Sequence, residues 1–355
     1  MVYDKYIVCS DSFKGCLSSS EVNAAVVRGL EKVYPSARFS TFTLSDGGEG
    51  FLSAWHDKIS GQWMRVNAHD PLMRPIVAEY LMLSDGAAVI ESARTCGLCL
   101  LKPDELNPLR TTSYGLGEII ANAVLHDCQK LVIGLGGTCT NDYGQGMLDA
   151  LQHMLPTLDR VLPTLPLLHG VQVVMATDVD NPLFGPHGAA VVFAPQKGAT
   201  ADMVKALEER GRLFVRQSQQ RCGHDCSMMP SAGAAGGIGY ALMQYLHAEK
   251  QSGVSMMLDL CGFDETIGVN TCVITGEGHA DRQTLMGKLP FGVLQRAKPY
   301  GATVWLIAGS VDDRQQLLKA GFDKVFDINA GQPKVADILN PSVARRRIEQ
   351  LFEER

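Results

Sequence analysis

Short apolar runs of strand length alternate along the chain with longer segments in which apolar residues recur at helical spacing. This alternation predicts an α/β fold, in which helices cover a mostly parallel sheet. The predicted strands are 6–10, 39–44, 76–83, 87–92, 130–135, 171–177, 189–194, 271–275, 303–308 and 324–327. Beyond the first helix, the predicted helices are 113–127, 146–155, 201–219, 232–249 and 290–298.

The first helix carries the clearest local signals. Ser18 and Glu21 have the spacing of a capping box, and Leu17 and Val22 can form a hydrophobic staple. Apolar residues then recur on one face until Pro35, which cannot continue a helix. We therefore predict a helix that begins at Ser18 and ends before Pro35.

The middle of the chain, roughly 62–262, has a different pattern from the two ends. The Asp-Gly pair at 85–86 separates two apolar runs and favours a tight hairpin turn, whereas each end reads as strand, Gly/Asp-rich turn and helix. We predict one doubly wound domain built from 1–60 and 265–355, with a mixed α/β domain, 61–264, inserted in it. The cleft between two such domains is an expected place for a ligand.

Charge and composition exclude several classes of protein. The 32 basic and 38 acidic residues give a net charge of -6 with no basic block, which argues against a nucleic-acid partner. No apolar run is long enough for a membrane helix and the start does not resemble a signal peptide, so we expect a cytoplasmic protein without a membrane partner. The ten cysteines are then expected to be reduced. A four-ligand zinc site drawn from Cys96 and Cys99 and from the cluster Cys222, His224 and Cys226 is a weaker interpretation, because Cys96 and Cys99 are interleaved with apolar residues as small core residues would be.

Six segments place glycine beside acidic, amide or basic residues just after predicted strands. They are 10–15, 45–50, 136–142, 178–183, 231–237 and 275–283. Open α/β sheets bind ligands at the carboxyl ends of their strands, so these segments are candidate site loops. Each one alone is also consistent with a structural turn.

The residue types in these segments suit phosphate chemistry. Lys14 and Lys288 each precede a predicted helix start, where backbone N–H groups attract anions, and the carboxylates could hold magnesium. No complete GxGxxG, Walker A or GxSxG motif is present. A standard dinucleotide site, a P-loop and a serine hydrolase therefore have little support.

The order of the segments resembles the bacterial glycerate kinase family. The motifs that carry the resemblance are SDSFKG, SDGGEGF, GGTCTND, DVDNPLFGPHGAAVVFAPQKGA, SAGAAGGIG and TGEGHADRQTLMGK. The resemblance implies a flavodoxin-like domain with a second α/β domain inserted, and ATP-dependent, magnesium-assisted phosphorylation of D-glycerate. Thr138, Cys139 and Tyr143 depart from the residues frequent in that family, which concerns the shape of their loop rather than the acids.

Candidate roles follow from this chemistry and from the resemblance. Asp178 is the first candidate for the base that accepts the hydroxyl proton, with a turn-capping aspartate as its alternative; Asp46 is the second, and Lys14 is a further catalytic candidate. Glu277 and Asp281 could hold Mg²⁺. The candidate residues for binding substrate and phosphate are Asp11, Ser12, Gly47, Gly48, Asn181, Gly276, Gly278, Arg282 and Lys288.

The expected reaction is transfer of the γ-phosphoryl group of ATP to a glycerate hydroxyl in the interdomain cleft, with 2-phosphoglycerate preferred as product. The alternatives are a non-enzymatic protein that binds a small anion and a kinase of a related hydroxy acid. A nicotinamide oxidoreductase is disfavoured by the missing fingerprint. Whether the protein forms a homo-oligomer is left open.

Overall fold

The computed structural model describes residues 3–13, 15–45, 47–48, 50–155, 170–331 and 339–353. The chain divides into two compact units, Met1–Asp46 with Val254–Arg355, and Gly47–Gly253. The sequence predicts domain limits near 60 and 265, some residues later than these divisions. The segment after Asp46 belongs with the second unit because it packs there: the amide of Leu52 donates a hydrogen bond to Glu91 Oε2 at 3.2 Å.

The secondary structure alternates along the chain. The strands are β1 Lys5–Val8, β2 Arg38–Thr41, β3 Gly61–His69, β4 Pro75–Leu83, β5 Ala87–Glu91, β6 Lys130–Gly134, β7 Gln172–Ala176, β8 Glu249–Gln251, β9 Thr271–Ala280, β10 Thr303–Val311 and β11 Lys324–Asp327. The helices are α1 Ser19–Val33, α2 Phe51–His56, α3 Ala93–Cys96, α4 Tyr114–Leu125, α5 Gln145–Met154, α6 Ala189–Phe193, α7 Ala201–Cys222, α8 Ala234–Leu246, α9 Gly253–Leu260, α10 Phe263–Thr266, α11 Leu289–Ala297, α12 Arg314–Ala320 and α13 Pro341–Gln350.

The first unit contains a five-stranded sheet in the order β2-β1-β9-β10-β11, with every pair of neighbours parallel. Counted along this unit, the order is 2-1-3-4-5, which is the flavodoxin-like doubly wound arrangement. Its core includes the fully buried side chains of Tyr6, Leu30 and Ile274. The predicted fold class is confirmed for this unit.

Helix α1 begins as the sequence predicts. The amide of Ser18 donates to Glu21 Oε2 at 2.9 Å, and the amide of Glu21 donates to Ser18 Oγ at 3.4 Å, which completes the capping box. Arg28 on the same helix pairs with Glu349 of α13 at 2.6 Å. Local sequence therefore sets where α1 begins, and α13 packs along it.

The second unit contains a six-stranded mixed sheet in the order β3-β4-β5-β6-β7-β8. Strands β3, β4 and β5 pair antiparallel, whereas β5, β6, β7 and β8 pair parallel. The predicted hairpin of β4 and β5 is confirmed. Gly86 occupies the left-handed region there, with φ of 82°, which residues with a side chain rarely adopt.

Some predicted elements differ from the structure. The segment 189–194, predicted as a strand, forms the short helix α6, with Ala190 and Ala194 buried one turn apart and Val191 exposed. A short apolar run cannot be assigned to strand or buried helix by periodicity alone, so that prediction was wrong. Strands β3 and β8 were not predicted; β8 is exposed along its whole length and carries no apolar signal.

The described part of the chain contains no helix that is both long and apolar enough to cross a membrane. All ten cysteines lie among the described residues, and none of them forms a disulfide. Across the described residues, no three or more His, Cys, Asp or Glu side chains are grouped so that they could hold a metal ion. A zinc site at Cys96 and Cys99 therefore gains no support.

Candidate active site

The strand order of the first unit reverses between β1 and β9, and such switch points are where doubly wound sheets bind ligands. The amide of Asp11, after β1, donates to the carbonyl of Gly276 in β9 at 2.8 Å. The candidate segments 10–15 and 275–283 therefore lie side by side at the carboxyl edge. A Cβ on Gly276 would stand 2.5 Å from the carbonyl oxygen of Ile307, so the close approach of β9 and β10 requires glycine.

Glu277, Asp281 and Lys288 form a charged cluster at this edge. Glu277 is only 5% exposed, and Thr284 Oγ1 donates to its Oε1 at 2.6 Å. Lys288 Nζ lies 3.3 Å from Glu277 Oε2 and 3.7 Å from Asp281 Oδ1. Burial raises the pKa of Glu277, while the ammonium of Lys288 and the hydroxyl of Thr284 oppose that rise. In this cluster the ammonium of Lys288 partly neutralises the charge of the buried Glu277 carboxylate.

The two carboxylates of the cluster have the donor chemistry that Mg²⁺ requires. Magnesium is usually bound by one or two protein carboxylates, with water and substrate phosphates completing its coordination. Asp281 Oδ1 also accepts from the amides of Gln283 and Thr284, at 2.8 and 3.3 Å, so this side chain is fixed in place. Glu277 and Asp281 fit a magnesium ion in residue type and immobility, and their role as ligands stays a prediction.

Hydrogen bonds at Ser10 and Ser12 hold the start of the loop after β1. The amide of Ser12 donates to Asp11 Oδ1 at 2.7 Å, and the amide of Ser10 donates to Asn23 Oδ1 at 2.9 Å. Ser10 Oγ and Thr275 Oγ1 are buried and have no hydrogen-bond partner among the described residues. Unsatisfied buried hydroxyls are uncommon, and here they lie at the switch point, where a polar ligand would satisfy them.

Arg282 and Gly278 lie outside the charged cluster of Glu277, Asp281 and Lys288. Arg282 is mostly exposed, and its Nε lies 3.1 Å from Asp313 Oδ2 at the start of α12. It is therefore not part of the charged cluster. The carbonyl of Gly278 would be 2.4 Å from a Cβ on Gly309, so β9 and β10 stay close beyond Gly276.

In the second unit, Asp178 follows β7 at the carboxyl edge of the parallel strands. Ser252 Oγ, just after β8, donates to Asp178 Oδ1 at 2.5 Å. Gly47 packs against the same edge, because a Cβ there would be 2.5 Å from the carbonyl oxygen of Ala176. Gly48 packs equally closely on Gly136, with its Cα 2.5 Å from where a Cβ on Gly136 would lie.

Asn181 supports a loop. Its side-chain Nδ2 donates to the backbone carbonyl of His187 at 2.8 Å, and its backbone carbonyl accepts from the amide of Gly233. The neighbouring Asp180 forms an ion pair with Lys250 of β8. These contacts give Asn181 a structural role, and its predicted role in binding substrate stays a prediction.

Asp142 ends the GGTCTND motif but is not among the predicted site residues. Asp142 is 2% exposed and accepts from the amide and hydroxyl of Ser113 at 2.7 and 2.8 Å. It also accepts from the amides of Gly144 and Gly146, at 3.2 and 3.1 Å. Asp142 therefore joins the starts of α4 and α5 to the loop after β6. An aspartate shortly before a glycine-rich helix start is the sequence signal that could have identified it.

The structure thus brings most candidates to two strand edges, one in each unit. The first unit's edge carries Asp11, Ser12, Gly276, Glu277, Gly278, Asp281 and Lys288, and the second unit's edge carries Gly47, Gly48 and Asp178. Lys14 and Asp46 lie outside the described residues. Acidic side chains, a lysine and close-packed glycines at the carboxyl ends of parallel strands define the class: an α/β protein that handles small phosphorylated or carboxylated ligands.

Comparison with known proteins identifies the family. The sequence model of the glycerate kinase family matches residues 6–354, and the chain belongs to this family. The glycerate kinase of Bacillus subtilis (strain 168) is 38% identical over 352 residues, covering 94% of this chain and 92% of the relative. The glycerate 2-kinase of Escherichia coli (strain K12) is 36% identical, covering 91% and 90%.

A solved structure extends the similarity to three dimensions. It is a crystal structure from Salmonella typhimurium LT2 of a protein assigned as glycerate kinase 2. The match has a TM-score of 0.73 at 31% identity and covers 99% of this chain and 97% of that chain. The α/β architecture described above is therefore shared along nearly the whole of both chains.

Proposed function

We propose that this protein transfers the γ-phosphoryl group of ATP to the 2-hydroxyl of D-glycerate and forms 2-phosphoglycerate. Membership of the glycerate kinase family and the similarity to the Escherichia coli glycerate 2-kinase support this reaction. The observation that carries it is the cluster of Glu277, Asp281 and Lys288 at the β1/β9 switch point. Carboxylates beside a lysine at such an edge suit a nucleotide's phosphates and their magnesium.

The reaction forms a bond between the attacking hydroxyl oxygen and the γ-phosphorus and breaks the bond from that phosphorus to the β,γ-bridging oxygen of ATP. The hydroxyl proton passes to a carboxylate, and ADP leaves. Asp178 is the proposed acceptor because it lies at a strand edge and is already oriented by Ser252. Asp46 remains the second candidate.

Positioning and charge neutralisation supply most of the rate in phosphoryl transfer. Lys288 is proposed to offset negative charge on the phosphate oxygens, and Glu277 and Asp281 to hold Mg²⁺. When bound, magnesium would neutralise charge on the β- and γ-phosphate oxygens. The burial of Glu277 strengthens its electrostatic interactions, because water screens them less.

The alternative of a passive anion receptor is less consistent with the site. Buried carboxylates repel an anionic ligand unless a cation lies between them, and Glu277 is itself buried at the switch point. A kinase of a related hydroxy acid uses the same phosphate chemistry and differs only in the acceptor. The acceptor must therefore be determined by assay. The cytoplasmic location stays a prediction, and the oligomeric state stays open.

The test is to incubate the protein with ATP, Mg²⁺ and D-glycerate and to follow ADP release together with the ³¹P NMR spectrum of the product. A phosphate on the 2-hydroxyl couples to one proton and gives a doublet, whereas a phosphate on the 3-hydroxyl couples to two protons and gives a triplet. We expect a doublet that forms only with ATP and D-glycerate both present. A triplet would overturn the choice of hydroxyl. Binding of D-glycerate without ADP release would support the receptor, and faster turnover of L-glycerate or D-lactate would support another hydroxy acid.

A further inference from the structure

Lys197 is a buried lysine in the second unit that the proposed mechanism does not use. It ends a short 3₁₀ turn, Pro195–Lys197, and is 3% exposed. Its Nζ donates to the carbonyl oxygen of Thr140 at 2.7 Å and to Thr138 Oγ1 at 3.4 Å. Within the described part of the chain, no carboxylate oxygen lies within 4.0 Å of this ammonium. A lysine buried in this way is unusual, because buried charges are normally paired.

The surroundings of Lys197 disfavour its charge. Burial lowers its pKa from 10.5 to about 8, and Asp142 with the thiols of Cys139 and Cys96 only partly opposes that shift. An apolar side chain of similar length would avoid this desolvation. Stability alone therefore gives no reason for lysine at this position.

The ammonium holds a loop that several motif segments meet. Thr138 and Thr140 belong to the loop 136–142, which follows β6, the strand beside β7 and Asp178. The carbonyl of Thr140 is also confined from the side of α8, because a Cβ on Gly236 would stand only 2.1 Å from it. Lys197 thus fixes the position of this carbonyl at the junction of segments 136–142 and 231–237.

The same loop carries a polar group with no partner. Thr140 is fully buried, and its Oγ1 has no hydrogen-bond partner among the described residues. Buried hydroxyls normally have a hydrogen-bond partner, so this one suggests that a bound polar ligand supplies the missing hydrogen bond. Lys197 fixes the backbone from which this hydroxyl projects.

We propose that Lys197 is a positioning residue for phosphoryl transfer, a role that rests on the proposed function. Its ammonium anchors the carbonyl of Thr140 and so holds the loop 136–142 in its active geometry at the edge that carries Asp178. Lys197 itself contacts neither the phosphate nor the acceptor. The expected consequence is that loss of its hydrogen bonds slows turnover more than it weakens binding of D-glycerate.

The test compares Lys197→Met with Gln244→Met. Gln244 is a fully buried polar side chain that anchors a different loop, accepting from the amide of Cys226 at 2.9 Å and donating to the carbonyl of His224 at 2.8 Å. Lys197→Met should lower kcat ~10–100-fold with little change in KM for D-glycerate, because small misplacement of reacting groups has large effects on rate. At or below pH 8, its melting temperature should stay close to that of the wild type. Gln244→Met should show the opposite pattern, a lower melting temperature with nearly normal kcat.

Hydrogen exchange of the amides in 136–142, measured without substrate, tests the anchoring by Lys197 independently of the proposed glycerate kinase activity. Lys197→Met should exchange these amides faster than the wild type, and Gln244→Met should not. A wild-type protein that does not phosphorylate D-glycerate would refute the proposed function and leave the anchoring to be judged by exchange. Normal kcat in Lys197→Met, or a loss explained by a lower melting temperature, would overturn the positioning role. If Lys197→Met does not fold, Lys197→Gln, which keeps a donor, undergoes the same measurements.

Discussion

Adding one methyl group at Gly276 should disturb the switch point of the first unit. Gly276 pairs with Ile307 in the register of β9 and β10, and its carbonyl accepts the amide of Asp11 at 2.8 Å. In Gly276→Ala the new Cβ would stand 2.5 Å from the carbonyl oxygen of Ile307, whereas ordinary contacts begin at 3.4 Å. The difference, 3.4 − 2.5, requires the backbone to move by about 0.9 Å, since a backbone oxygen cannot rotate away as a side chain can.

A displacement of this size should affect both stability and activity. Overpacking in a well-packed interior costs about 1–3 kcal/mol. Glu277 is the next residue, so its carboxylate moves with the strand, and misplacement by about 1 Å can reduce a rate ~10²-fold. We therefore expect Gly276→Ala to lower the melting temperature by several degrees and kcat/KM by about 10²-fold.

Gly268→Ala provides the matched control. Gly268 precedes the same strand at its other end, and a Cβ there meets no atom within 4 Å. Gly268 is partly exposed, and the added methyl group meets no neighbour, so the control should change the free energy of unfolding by no more than about 0.5 kcal/mol and leave kcat/KM unchanged. Both variants are assayed by thermal unfolding and by phosphorylation of D-glycerate. Wild-type stability and activity in Gly276→Ala would refute the claim that the close approach of β9 and β10 shapes the site.

Three further predictions concern the charged groups. Asp178→Asn should lower kcat ~10²–10⁴-fold at an unchanged melting temperature. Its control, Asp180→Asn, should keep nearly wild-type kcat and KM. Near-normal turnover in Asp178→Asn together with a large loss in Asp46→Asn would assign the base to Asp46. Glu277→Gln should raise the Mg²⁺ concentration needed for half-maximal rate, and excess chelator should abolish wild-type turnover reversibly; a magnesium titration that matches the wild type would remove Glu277 from the metal site. The pKa of Lys197 is about 8 in the folded protein and 10.5 in the unfolded chain. Between these two pH values the unfolded chain therefore binds more protons than the folded protein, so the free energy of unfolding rises with pH. The free energy of unfolding of the wild type and of Lys197→Met is measured by denaturant unfolding between pH 8 and 10.5. Over this range the value for the wild type should rise by up to about 3 kcal/mol relative to the variant, and a difference that does not change with pH would contradict this.

Short-range features of this protein were predictable from sequence because they depend on neighbouring residues. The capping box at Ser18 and Glu21 and the hairpin turn at Gly86 involve contacts within a few positions. The α/β class likewise follows from the alternation of apolar runs, and the ordered motifs indicated the family before any comparison. Glycine beside acidic residues after a strand was enough to select segments 10–15 and 275–283, since parallel strands all end at one edge.

Only the tertiary structure decided which of these residues meet and which are buried. The run 189–194 became a helix because its neighbours in space, not its composition, set which side chains are covered. Arg282 pairs with Asp313, 31 residues away, whereas Lys288 joins the cluster of Glu277. Lys197 looks like an ordinary surface lysine in sequence, yet it is buried and donates a hydrogen bond to Thr140, 57 residues earlier. Which polar side chains are buried and which charges pair depends on contacts beyond the local sequence, and the periodicity of apolar residues does not specify those contacts.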